Sequence, residues 1–196
     1  MSQPTIGVLA LQGAFDAHVR AFTDLGVSAV EVRTVEQLKA VDAMVLPGGE
    51  STTMSMLLVT FGLLEPLAAR IKSGMAVFGT CAGMILLAQN VLDGRPDQRS
   101  MAALPIDVRR NGYGRQIDSF EADLAIDGLS GGDFHAMFIR APIVERVEST
   151  VTVLASAAER PVLCRYQNVL VSSFHPELTT DRRIHHYFVT SLVQGS

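Results

Sequence analysis

Ala76-Val77-Phe78-Gly79-Thr80-Cys81-Ala82-Gly83-Met84-Ile85-Leu86-Leu87 is the stretch that decides how this chain is read. Residues 76–78 form a short apolar run bounded by glycine, the pattern of a buried strand. Gly79-x-Cys81-x-Gly83 follows, and then an apolar segment long enough for a helix. That order is a nucleophile elbow with cysteine in place of serine. Small residues let the chain turn sharply from strand to helix, so the nucleophile stands clear at the sheet edge. At a helix N-terminus the positive end of the dipole favours thiolate over thiol. A free cysteine is more often buried and inert, but glycines on both sides, on a strand-to-helix turn, favour the reactive reading.

Upstream of this stretch, apolar runs alternate with helical spacing. Residues 5–11 are near-continuously apolar, as a strand buried on both faces should be. Phe15, Val19, Phe22 and Leu25 follow at helical spacing, and Gly26 ends that helix. Residues 29–32 read as a second strand, 35–38 as a short helix and 43–46 as a third strand. The alternation predicts a three-layer α/β/α fold with a mostly parallel central sheet and helices on both faces. Sites in such folds lie outside the carboxyl ends of the strands. Cys81 is at such an end, and so is Pro47-Gly48-Gly49-Glu50-Ser51-Thr52-Thr53. The glycine pair lets backbone N–H groups approach a ligand closely, and Ser51 and Thr52 are expected to cap a helix over 54–58. Alone this is a capped turn. Beside a thiolate it becomes an oxyanion hole, in which one donor is worth roughly 3 kcal/mol. No GxxxxGK[ST] is present to support a phosphate loop.

Downstream, the pattern breaks between residues 90 and 103 into a polar segment, 93–100, expected to be a mobile surface loop. Residues 106–110 resume a strand, followed by Asn111-Gly112-Tyr113-Gly114-Arg115, a turn that puts Arg110 and Arg115 close together. Residues 120–126 alternate as a half-exposed strand does, and 136–142 form another strand carrying Arg140. These predict antiparallel strands added to the parallel core. Arg110 and Arg140 are each able to hold a carboxylate by bidentate hydrogen bonds. Residues 151–155, 162–166 and 169–174 read as three more strands. Cys164 lies within one of them, without flanking glycines or a helix start, and is read as structural. Then comes Ser173-Phe174-His175-Pro176-Glu177-Leu178. Side chains two apart in an extended segment point the same way, so Glu177 reaches the His175 ring, with Pro176 stiffening the connection. A carboxylate on one ring nitrogen leaves the other free to handle a proton. An amphipathic helix is expected over 181–193, with His185 and His186 on its solvated face beside Arg182 and Arg183. His18 and His135 receive no role.

With 196 residues, the chain is expected to form one domain, 1–196. It is 48% hydrophobic and 18% charged, as soluble globular proteins are. A net charge of −4 without a basic cluster argues against a nucleic-acid surface. No apolar run reaches the roughly 18 residues of a membrane span. Met1-Ser2-Gln3-Pro4 lacks a basic n-region, so no signal peptide is expected. Two distant cysteines form no disulfide framework and fit a cytoplasmic protein. No CxxC or HxxxH spacing supports zinc; neither metal nor cofactor is expected.

Cys81, the glycine pair and His175-x-Glu177 together resemble a class I (triad-type) glutamine amidotransferase domain. Within that group the chain is similar to the family of glutaminase subunits of pyridoxal 5′-phosphate synthase. The matching stretches include Gly7-Val8-Leu9-Ala10-Leu11-Gln12-Gly13, Pro47-Gly48-Gly49-Glu50-Ser51-Thr52-Thr53-Met54 and Gly79-Thr80-Cys81-Ala82-Gly83-Met84. They continue with Arg110-Asn111, Gln116-Ile117-Asp118-Ser119-Phe120-Glu121, Phe138-Ile139-Arg140-Ala141-Pro142 and Phe174-His175-Pro176-Glu177-Leu178. The elbow and His-Pro-Glu mark only the broad group; PGGEST, DSFE and FIRAP select the subfamily. Residues 92–103 are the least family-like part.

The resemblance implies Cys81 as nucleophile, His175 as base and later acid, and Glu177 as the orienting carboxylate. It implies an oxyanion hole from backbone groups around Gly48, Gly49 and Ala82. L-glutamine would be held by Gly49, Glu50, Ser51, Arg110, Ile139 and Arg140. Physically, an amino acid needs a cation for its carboxylate, either Arg110 or Arg140, and an acceptor such as Glu50 for its ammonium. The family partner is a barrel-fold synthase subunit in a hetero-oligomeric complex, which receives the ammonia and makes the glutaminase competent. Two other readings stand beside this one: an elbow-cysteine hydrolase serving a different acceptor, and a non-catalytic flavodoxin-like binding module. The first leaves FIRAP unexplained. The second leaves the triad unexplained.

Overall fold

A computed structural model describes residues 3–110 and 119–195. The first half alternates strand and helix as its periodicity requires. It runs β1 (Thr5–Leu9), α1 (Phe15–Asp24), β2 (Ser28–Val32), α2 (Val35–Lys39) and β3 (Ala43–Leu46). It continues through α3 (Ser51–Thr60), α4 (Leu64–Lys72), β4 (Ala76–Thr80) and α5 (Ala82–Leu87). The second half is mainly β: β5 (Ala88–Val91), β6 (Leu104–Arg109), β7 (Ser119–Leu124), β8 (Phe134–Ile139) and β9 (Ile143–Val147). Then come β10 (Thr152–Ala157), β11 (Arg160–Tyr166), β12 (Val169–Ser172) and α6 (Arg183–Phe188).

The main sheet has the order β10-β11-β12-β4-β3-β1-β2. β2, β1, β3, β4 and β12 are parallel, whereas β11 runs antiparallel to both β12 and β10. The parallel part thus has the doubly wound order of flavodoxin-like folds, extended on one side by an antiparallel flank. A three-stranded sheet, β5-β6-β9, and the β7–β8 pair complete the strands among the described residues.

Strand side chains alternate between two buried layers. Ile6, Val8, Val45, Phe78 and Leu170 meet Phe22 of α1, Phe188 of α6 and Phe138 of β8. Leu9, Met44, Leu46, Val77 and Val171 meet Met54, Leu67 and Met84 of the opposite helices and Ile106 of β6. Both faces of the sheet are covered, which is why these strands read as continuous apolar runs. Each large apolar side chain buried this way contributes roughly 1.5–3 kcal/mol.

Two expectations about the second half change here. The segment expected to be a mobile loop is tied to α3 and α5: Arg99 N–H donates to Ser55 Oγ at 2.7 Å, and Met101 N–H to the Leu86 carbonyl at 2.7 Å. Its polar groups satisfy neighbouring backbone and hydroxyl groups. The helix expected over 181–193 begins at Arg183 and widens into a π turn over Val189–Val193. His186 is exposed on it, but His185 is fully buried, against the expectation of a solvated face. It shares a face with Ile184, Phe188, Val189 and Leu192, which pack on the sheet. Among the described residues, no single helix is long and apolar enough to cross a membrane.

Candidate active site

From β1 the chain passes to β2 on one side and then returns to β3 on the other, leaving a crevice at their carboxyl ends. The turns after β1, β3, β4 and β12 converge there. Glycine makes the convergence possible at α5. A Cβ on Gly83 would lie 2.1 Å from the Leu46 carbonyl oxygen, so α5 starts directly against the end of β3. Cys81 occupies the tight turn between β4 and α5 with φ 49° and ψ −101°, a conformation unfavourable for any residue with a side chain. Its N–H donates to the Ser172 carbonyl at 2.8 Å, which locks the elbow to β12. Its Sγ lies 3.9 Å from the Ile139 carbonyl oxygen. α5 is only six residues long before the chain enters β5.

The loop after β3 lies flat against this elbow. A Cβ on Gly48 would sit 2.4 Å from His175 Cε1 and 3.5 Å from Cys81 Cβ, so only glycine fits. Gly13, with φ +97°, closes the other side, and Ala14 N–H donates to the Gly48 carbonyl at 2.9 Å. Gln12 Oε1 accepts the Glu50 N–H at 2.9 Å. The helix cap differs from expectation. Glu50, not Ser51 or Thr52, caps α3, accepting from Thr52 N–H at 3.1 Å and Thr53 N–H at 2.7 Å. Its longer side chain folds back to reach two orphan donors, while Ser51 and Thr52 already lie inside the first turn. Glu50 Oε1 also accepts from Arg110 Nη2 at 2.9 Å. Partial burial disfavours the Glu50 charge, but hydrogen bonds from Thr53 and Thr52 and the Arg110 cation outweigh it and hold the carboxyl at about 2.

His175 follows β12, its N–H held by the Met137 carbonyl of β8 at 2.9 Å. The chain does not continue extended, as the two-residue spacing suggested. Pro176–Leu178 forms a 3₁₀ turn, with proline at its start where no N–H is needed. That turn brings Glu177 Oε1 to 2.7 Å from His175 Nδ1. Burial works against a charged His175 ring, yet hydrogen bonds to Cys81 and Glu177 and their charges raise it to about 10. That favours the protonated ring, on the same cavity wall as the sulfur. Burial likewise pushes Glu177 up, but His18 and His175 more than offset it, and the carboxyl is lowered.

These groups bound a cavity of about 440 Å³. Cys81, His175, Gly48, Gly49, Glu50 and Ser51 line it, and so do Arg110, Ile139 and Arg140. Of the expected site residues, Glu177 stands behind His175, and Ala82 is buried just past Cys81 at the start of α5. Arg140 is exposed at the rim with φ 42°. Arg115 and the stretch Gln116-Ile117-Asp118 lie outside the described residues. Cys164 is remote in β11, and burial pushes its thiol up to about 12.

Three polar residues behind the cavity were missed. His18 is fully buried, with Nε2 at 3.1 Å from Thr80 Oγ1 and 3.5 Å from Glu177 Oε2. Its Nδ1 lies 3.0 Å from His185 Nε2. Burial lowers both of these histidines, the opposite of His175. The signal was present: His18 falls on the stripe of Phe15, Val19 and Phe22, and His185 on that of Ile184 and Phe188. Among the described residues, no group of His, Cys, Asp and Glu side chains is arranged to hold a metal ion.

The profile of the SNO glutamine amidotransferase family matches residues 8–194. The chain is 57% identical to a pyridoxal 5′-phosphate synthase subunit PdxT from Frankia alni, over 96% of this chain and 95% of that one. It is 51% identical to the PdxT subunit from Rhodococcus opacus, over the full length of both. A solved glutamine amidotransferase superposes with a TM-score of 0.90 at 47% identity, covering 97% of this chain and 99% of the other. A putative GMP synthase component from Thermoplasma acidophilum, 16% identical, shares the fold with a TM-score of 0.70 over 100% of this chain and 96% of its own.

Proposed function

Because this chain belongs to the SNO glutamine amidotransferase family, we propose that it hydrolyses L-glutamine to L-glutamate and ammonia, as the glutaminase subunit of a pyridoxal 5′-phosphate synthase. The observation that carries this reading is Cys81 and His175 on the wall of one cavity bounded by the Gly48-Gly49 loop, with Glu177 2.7 Å behind the His175 ring. A thiolate, not a thiol, attacks a carbonyl carbon, and the imidazolium beside the sulfur is the charge partner that species needs. Attack on the side-chain amide forms a C–S bond and a tetrahedral oxyanion, which backbone groups of Gly48, Gly49 and Ala82 would stabilise. His175 gives its proton to the departing nitrogen. The C–N bond breaks, leaving ammonia and a γ-glutamyl thioester. Neutral His175 then takes a proton from water, whose oxygen cleaves the thioester to glutamate and regenerates the thiolate–imidazolium pair. Glu177 holds Nδ1, so Nε2 faces the chemistry throughout.

For the rest of the substrate, Arg110 and Arg140 offer cations to the α-carboxylate. Glu50, ionised at neutral pH, offers an acceptor to the ammonium. The whole chain, 1–196, works as one glutamine amidotransferase domain in the cytoplasm. It docks on a barrel-fold synthase subunit that takes the ammonia. The deciding experiment measures glutamate release from glutamine with and without an added pyridoxal 5′-phosphate synthase subunit. Turnover should rise on mixing. Equal turnover in both conditions would reject the partner, and absence of turnover in both would reject the glutaminase.

A further inference from the structure

Glu177 has two carboxylate oxygens in a buried site, and only one is used by His175. The other, Oε2, accepts no hydrogen bond by strict geometry among the described residues, yet His18 Nε2 stands 3.5 Å from it. A buried carboxylate oxygen without a donor is costly, more so when it carries charge. The tautomers of His18 and His185 decide whether that cost is relieved.

If His18 carried its proton on Nδ1, a bare Nε2 lone pair would face the carboxylate, and His185 would have to accept at Nε2. His185 would then bury an N–H at Nδ1, an atom that has no partner among the described residues. The opposite assignment removes both conflicts. His185 Nε2–H donates to His18 Nδ1 across 3.0 Å, and His18 Nε2–H points to Thr80 Oγ1 and Glu177 Oε2. The unpartnered atom is then only an acceptor, the cheaper group to leave bare.

We propose that His18 is a positioning residue for the glutaminase reaction: its Nε2–H, directed at Thr80 and Glu177, holds the carboxylate that orients His175. The line of contacts runs His185, His18, Glu177, His175, Cys81, reaching from α6 through α1 to the elbow. The titratable and charged groups facing His18 are Glu177 and His175 from the segment after β12, and Arg182 and His185 from α6 and its N-terminal edge. Burial lowers His18 against the raising effect of the nearby carboxylate, and in its neutral form it acts as a dipole of fixed direction. The proposal rests on the glutaminase reading above.

The test uses the chain with a pyridoxal 5′-phosphate synthase subunit, comparing wild type with His18→Phe and His18→Gln. Phenylalanine keeps a ring but removes the donor; glutamine restores an amide N–H near the Nε2 position. His18→Phe should lower kcat about tenfold, by analogy with the loss when an outer partner of a metal-bound histidine is removed, with KM for glutamine unchanged. The rate profile of Cys81 alkylation should drop across neutral pH, because a loosened imidazolium activates the sulfur less. His18→Gln should recover most of both. A folded His18→Phe with wild-type kcat and an unmoved alkylation profile overturns the proposal. A wild type that never turns over glutamine points instead to failure of the glutaminase reading. Nitrogen NMR of the wild-type histidines needs no variant: a proton on His18 Nε2 is expected, and a proton on Nδ1 alone overturns the proposal.

Discussion

Backbone with positive φ at residues other than glycine occurs both at the cavity and in the antiparallel flank, and the two places use it differently. At the cavity, Cys81 (φ 49°) and Arg140 (φ 42°) bring their side chains to one space. In the flank, Ala158 (φ 46°) and Glu159 (φ 63°) form the two-residue turn joining β10 to β11. That turn is what a hairpin's twist demands, and Asn-Gly would fill it with less strain. Each region also holds one buried cysteine: Cys81 in the strained elbow, Cys164 in regular strand between Val153 and Val171. Burial does not separate these cysteines. What differs is the neighbour, an imidazolium for one and apolar side chains for the other.

The sharpest way to break this contrast is to remove each sulfur. Cys81→Ala should lower glutamate release by about 10⁴-fold or more, since nothing else supplies the nucleophile. Cys164→Ala should leave turnover intact and lower stability by roughly 1 kcal/mol, from one lost buried heavy atom. Paired glutaminase assays and thermal melts check both, and a catalytic defect in the second variant would erase the distinction. Next in size is alkylation at pH 8. With its thiol raised to about 12, Cys164 is thiolate in only about one molecule in 10⁴. Mass spectrometry should find Cys81 modified at least about 100-fold faster in the folded protein, with the two rates converging in denaturant. The smallest effect concerns the strain itself. Ala158→Asn with Glu159→Gly should raise stability by up to about 1 kcal/mol without changing turnover, read by denaturant melts. Lost activity there would mean that the flank's turn is functional after all.

Most of the parallel core was legible in the residues, because strands buried on both faces and helices with one apolar stripe leave clear periodicities. β3 was placed with its own bounds, and the elbow announced Cys81 through the glycines that α5 and β3 need. What stayed hidden was polar and local. Glu50 is an uncommon helix cap, and its neighbours Ser51 and Thr52 are commoner ones, so propensity pointed one residue too far. His175 and Glu177 meet through a 3₁₀ turn begun by Pro176; the pair was readable although its backbone was not. His18 and His185 sat on apolar stripes, but a hydropathy pattern treats a polar residue there as an interruption. Only packing shows that the two interruptions meet each other.

The parallel pairing of β12 with β4 has a consequence for the order in which the protein becomes competent as it is made. Cys81 leaves the ribosome with β1 to β4, which are contiguous in the finished sheet, whereas His175, its proposed acid–base partner, follows β12 and is translated far later. Synthesis at about 5–20 residues per second separates the two by several seconds, an interval in which the Ser172 carbonyl that holds the Cys81 N–H is also missing. Through that interval the open side of β4, with Val77 and Phe78, is an apolar edge without its neighbour. The arrival of β12 closes that edge and brings His175 and Glu177 to Cys81 in a single pairing event.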